Sequence, residues 1–112
     1  MRRPVAAVFV IALAMLAPML AQAAVTKKQD TLAFARAVCT AIDENAGKHG
    51  VDRLFFTRLL WRESLFDPNA VSPKGAQGIA QFMPGTAKRR NLDDPFDPKA
   101  ALAASAAYLA EL

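Results

Sequence analysis

Apolar positions recur along this chain with the period of an α-helix, about 100° per residue. Leu32, Ala35, Val38, Cys39 and Ile42 make one such stripe. It predicts a helix from an Asp30 or Thr31 cap to about Lys48, closed by His49-Gly50, with Gly50 in a left-handed position. A second helix is predicted over Asp52 to Ser64, with Asp52 as its cap. Pro84 opens a short third helix through Gly85 to Arg90. Asp97-Pro98 caps and starts a fourth, Ala-rich helix, with Leu102, Ala106, Leu109 and Leu112 along one side and the pattern still running at Leu112. Few residues favour strands and no hairpin signal occurs, so the fold class is mainly α.

The second helix carries the residue of greatest chemical interest. On a helical wheel Phe55, Phe56, Leu59 and Leu60 share one broad arc, and Glu63 projects from its middle. Arg58 and Arg62 lie off that arc, and Trp61 and Leu54 lie nearly opposite. A carboxyl among apolar groups loses hydration, which raises its pKa and fits it for general-acid work. The plainer reading is a Glu that snorkels from a helix end or pairs with a nearby Arg, and on the wheel alone it ranks first. Turn chemistry changes that ranking. Asp67-Pro68-Asn69 and Ser72-Pro73-Lys74-Gly75 are turns, with Gly78 soon after, and order resumes near Gln81. An irregular loop directly after the Glu63 helix suits the binding of an elongated ligand.

Residues 1–23 are expected to be a secretory signal peptide. Arg2 and Arg3 form a basic start, Val5 to Leu20 is apolar with a late Pro18, and Ala21-Gln22-Ala23 is a small-x-small cleavage site. The apolar run is short for a membrane span, and no Cys stands at the cleavage point to accept a lipid. Residues 24–29 then form a polar, mobile leader, and the domain occupies 30–112. The chain has 112 residues and a formal charge of +4, part of which leaves with Arg2 and Arg3. What remains, roughly 90 residues, can bury only a small core. The mild positive balance, without aromatics interleaved in a basic stripe, argues against nucleic acid. Lys88-Arg89-Arg90 reads as a solvated helix end, with attraction to an anionic wall polymer ranked second. His49 is the only His and lacks companions for a metal site. Cys39, the only Cys, falls on the apolar stripe and reads as a buried free thiol, although an unpaired Cys in an exported chain leaves its partner open. Trp61 either stacks on a sugar ring or, more ordinarily, packs.

Glu63-Ser64, then Phe66 to Pro73, then Gly75 to Ala87 (GAQGIAQFMPGTA) resemble the sequence signature of soluble lytic transglycosylases, the lysozyme-like murein-cleaving enzymes with an SLT domain. Asp94-Pro95-Phe96-Asp97-Pro98 and Ala107-Tyr108-Leu109 extend the resemblance, which covers roughly Val51 to Leu112. It implies a lysozyme-like helical domain, represented by its N-terminal portion, with an irregular loop after the catalytic helix. The implied substrate is peptidoglycan. The β-1,4 bond between N-acetylmuramic acid and N-acetylglucosamine is broken as the muramic C6 hydroxyl closes on C1, leaving a 1,6-anhydro end. One Glu, here Glu63, acts as acid and then as base. Ser72, Gln81 and Met83 match positions that line the saccharide groove, and Gly75 and Gly78 match tight turns around it. No cofactor and no metal are implied.

Paired-carboxylate glycosidases need a second acid, for which Asp67, Asp93, Asp94 and Asp97 are the candidates. Asp67 and Asp97 already have turn and cap positions, and none stands out. That suits assistance by the substrate's own N-acetyl group. Ala80 departs from the family's usual Met, and the family's later Ala-Tyr-Asn segment does not occur, which leads to the expectation of an incomplete domain. The expected setting is the periplasm, with glycan strands as partner, no stable membrane anchor after cleavage, and a cell-envelope assembly as a further partner. The rival readings are a non-catalytic wall-binding module and a hydrolytic muramidase.

Overall fold

A computed structural model describes the chain over residues 6–112. It contains four helices, α1 (Ala6–His49), α2 (Arg53–Ser64), α3 (Pro84–Arg89) and α4 (Pro98–Ala110). Among the described residues the sole β-type pairings are two isolated bridges, Val71 with Gln77 and Gln77 with Phe82. The expected mainly helical class therefore holds.

The chain divides into two units, Met1–Ala35 and Arg36–Leu112. The first contributes the N-terminal part of α1. The segment 24–29, expected as a mobile leader, is helical, and Asp30 and Thr31 do not cap a new helix. The physical reason is local: no Gly or Pro stands between Met19 and Ala46 to interrupt the ladder. The Thr26 and Thr31 hydroxyls instead donate to carbonyls one turn back, those of Gln22 and Lys27. Pro18 lies within the helix. Arg2 and Arg3, the basic start of the expected signal, fall outside the described residues. Among the described residues no helix is long and apolar enough to cross a membrane.

The second unit holds the core, in which Phe56, Leu60, Ile79 and Leu102 are fully buried. From α1 the core takes Val38, Ile42 and Ala46, a single row at four-residue spacing. The expected stripe is thus right at Val38 and Ile42 and wrong elsewhere. Leu32 and Ala35 lie before the packed unit begins, and Cys39, one residue or about 100° round from Val38, is exposed. The expectation of a buried thiol is corrected accordingly.

The helix ends follow from their residues. Gly50 has φ +66°, and the Val51 N–H reaches back to the Ala46 carbonyl at 3.0 Å, closing α1 as a Schellman motif. Asp52 caps α2, its Oδ1 accepting from the Phe55 N–H at 2.7 Å. Asp97 caps α4 by accepting from the N–H groups of Lys99 and Ala100, with Pro98 in the first turn. Within α4 the buried side is Ala101, Leu102, Ser105 and Ala106. Leu109 is half-buried and Leu112 is exposed, so the expected stripe holds at its first two members.

Candidate functional site

Glu63 stands in the last turn of α2, and its side chain is exposed. The apolar pocket expected from the wheel is not formed around it. The buried positions of α2 are Phe56, Leu60 and Ser64, a row at four-residue spacing, whereas Phe55 is 55% exposed. Relative to the expected arc, the inward face is rotated by roughly 60° toward Ser64. That rotation leaves Glu63 on the flank of the packed face, at the edge of solvent.

After Ser64 the chain turns abruptly. Leu65 and Phe66 both adopt left-handed backbone, with φ of 54° and 60°. Bulky residues rarely do so, and each costs about 1–2 kcal/mol. Phe66 is half-buried and meets Trp61, the ring centroids 5.6 Å apart. Trp61 is nevertheless 53% exposed, so it both packs on Phe66 and offers ring surface to solvent. Asp67 then accepts from the Asn69 N–H at 2.8 Å, forming the expected turn.

The loop from Ala70 to Met83 is tightly cross-bonded. Ser72 makes a turn with Gly75 (φ +91°), its N–H donates to the Ala76 carbonyl at 2.9 Å, and the Ala76 N–H donates to Ser72 Oγ at 2.9 Å. Gln77 and Phe82 exchange both backbone hydrogen bonds, at 2.9 and 3.0 Å. Gln81, itself at φ 53°, donates from Nε2 to the carbonyls of Ala70 and Gly78 at 3.2 and 2.9 Å. Ser72 and Gln81 are thus partly occupied in holding the loop. Met83 is 44% exposed and occupies the N-cap position of α3. Ser72, Gln81 and Met83 are accordingly carried by one bridged segment. Its tie to the Glu63 helix is the buried Ser64 hydroxyl, which donates to the Ile79 carbonyl at 2.7 Å.

Three of the four candidate second carboxylates are committed to backbone. Asp67 and Asp97 have the bonds already described, and Asp94 accepts from the Phe96 N–H at 2.9 Å. Asp93 is exposed and lines a depression of about 490 Å³ with Gln77, Pro84, Lys88, Asn91 and Pro95 among its walls. None of Glu63, Ser72, Gln81 or Met83 lines that depression. Among the described residues no three His, Cys, Asp or Glu side chains are grouped to hold a metal ion.

The basic run at the end of α3 is less solvated than expected. Lys88 and Arg89 are exposed, but Arg90 lies 4.0 Å over the Tyr108 ring and pairs with Glu111 at 2.6 Å. The hydrogen bond from Arg90 holds the Glu111 carboxyl below its ordinary value, and in turn raises that of Arg90. Ser64 and this Arg90 cluster are the features that sequence reasoning missed. Ser64 had a usable signal, since it follows Leu60 by one turn on the wheel.

The family model described as the transglycosylase SLT domain matches residues 40–112. Several curated relatives are named membrane-bound lytic murein transglycosylase F. That of Desulfosudis oleivorans is 37% identical over 71 residues, covering 63% of this chain and 16% of the relative. That of Alcanivorax borkumensis is 37% identical over 60 residues, covering 54% and 13%. That of Shewanella loihica is 32% identical over 90 residues, covering 74% and 18%. The aligned part is thus under a fifth of the length of each of these relatives. No solved structure gives a significant match.

Proposed function

Because the chain belongs to the transglycosylase SLT domain family, we propose that it acts on peptidoglycan as a lytic transglycosylase, with Glu63 as a single general acid and base. The observation that carries this reading is the contrast among carboxylates. Glu63 is exposed at the end of α2, beside a bonded loop with Ser72, Gln81 and Met83. Asp67, Asp94 and Asp97 hold backbone N–H groups instead. The names of the relatives, as lytic murein transglycosylases, agree with it.

In this mechanism Glu63 donates its proton to the glycosidic oxygen as the bond from the muramic C1 breaks. The positive character that develops at C1 is met by the substrate's own N-acetyl oxygen, an exception to the paired-carboxylate scheme. The muramic C6 hydroxyl then bonds to C1, and its proton returns to Glu63. No water is consumed and the carboxyl ends as it began. Since Glu63 is exposed, the glycan itself has to exclude water from it as the strand settles against the loop. Gln81 has its Nε2 committed to the loop, which leaves its carbonyl oxygen to accept from a sugar hydroxyl or amide. Met83 supplies an apolar surface, and Ser72 a hydroxyl at the turn.

The setting follows from the same reading. The basic start, apolar run and Ala21-Gln22-Ala23 site direct the chain to the periplasm, where its substrate lies. Digestion of purified murein by the full chain, with product masses read after chromatography, tests the chemistry. Anhydro-ended muropeptides are expected. Reducing ends would identify a hydrolytic muramidase, and retained binding with no soluble product would identify a wall-binding module.

A further inference from the structure

We propose that Ser64 is a positioning residue, a lock that sets the Glu63 turn of α2 against the loop carrying Gln81. This rests on the reading of Glu63 as the acid and base. Ser64 is 9% exposed, and its Oγ donates to the Ile79 carbonyl at 2.7 Å. The same oxygen lies 3.4 Å from the Leu60 carbonyl, a much weaker partner. Among the described residues the Ile79 contact is the only hydrogen bond between α2 and the loop 70–82.

Both ends of this lock are held in place by other features. Ile79 is fully buried, so its carbonyl has no water to turn to if the hydroxyl is removed. Gly78 on one side is pressed against Pro95, and Gln81 two residues on is bonded back to Ala70 and Gly78. On the helix side, the last turn is followed by the left-handed pair Leu65 and Phe66, whose backbone strain has to be held by the surrounding structure. A turn under that load needs an anchor if a neighbouring side chain is to be placed to within a fraction of an ångström, as proton transfer requires. Ser64 is the residue next to Glu63 and, among the described residues, is the one side chain of α2 hydrogen-bonded to the loop; the other bond leaving the helix, Arg53 to Asp43 of α1, lies at its far end.

The test compares Ser64→Ala and Ser64→Thr with the parent in the full chain, at a temperature where all are folded. Leu102→Ala serves as a core variant that destabilises without touching the lock. Two readouts are taken. In amide exchange, Ser64→Ala is expected to speed the Leu65 and Phe82 N–H groups together by about tenfold or more, while Ala101 is unchanged. In murein turnover, kcat is expected to fall about tenfold with KM within about twofold, Ser64→Thr to recover most of it, and Leu102→Ala to keep the parent's kcat. Unchanged exchange at Leu65 and Phe82 overturns the lock whether or not the chain turns over murein. Coupled exchange with a kcat equal to the parent's overturns its positioning role. A parent without turnover, its exchange coupled as described, removes the catalytic reading of Glu63 and with it the positioning role, leaving the lock a structural one.

Discussion

Gly78 has no room for a side chain. A Cβ built there lies 1.9 Å from the Pro95 carbonyl oxygen, and the backbone is at φ +77°. Either fact disfavours an L-residue, and together they fix the loop against the 94–96 segment. Gly78→Ala is therefore expected to lower stability by more than about 2 kcal/mol, combining left-handed strain with a clash that only backbone movement relieves. Denaturant melts check this; a loss within about 0.5 kcal/mol would mean that Pro95 yields freely. At this scale the sequence was a good guide where a residue's own chemistry decides. Gly50, Gly75 and Gly78 all have positive φ, and Asp52, Asp67 and Asp97 all accept from the backbone they were expected to serve. It was a poor guide at Leu65 and Phe66, because nothing in a Leu or Phe side chain announces a left-handed backbone.

Helices are read from their apolar faces, and here the faces were legible to about a turn's breadth. The wheel for α2 placed Phe55 on the inward arc and left Ser64 off it. In the structure Phe55 does not find a packing partner that covers it, and Ser64 lies inward, where it finds a carbonyl partner. Which way a helix rolls depends on the elements packed against it, and those lie elsewhere in the sequence. The junction of α3 and α4 gives a further test. Arg90, just past α3, is bonded to Glu111, just past α4, and stacked over Tyr108. Since the folded Glu111 carboxyl sits below its ordinary value of 4.5, the pair's stabilisation is fully present above that pH and is lost as pH falls through the lower, folded value. The effect is small, because Glu111 is 60% exposed and screened. Carboxyl NMR titration should place Glu111 below the ordinary Glu range and return it there in Arg90→Ala; an unshifted Glu111 in the parent would dissolve the pair.

For the molecule as a whole, packing and chemistry concentrate in the unit Arg36–Leu112, which holds the buried core, the bonded loop and Glu63. The family match at residues 40–112 covers nearly the same span. The proposed chemistry needs one carboxylate, that of Glu63. Asp93 is the single alternative among the four loop acids without a backbone bond, and it lines a depression that Glu63 does not share. Murein turnover by Glu63→Gln and Asp93→Asn, measured side by side in the full chain, separates the two. Loss of about 10²-fold or more in Glu63→Gln is expected, as for removal of a general acid and base, with Asp93→Asn within about twofold of the parent. Parent-like turnover by Glu63→Gln, or an equal collapse in Asp93→Asn, would contradict the account.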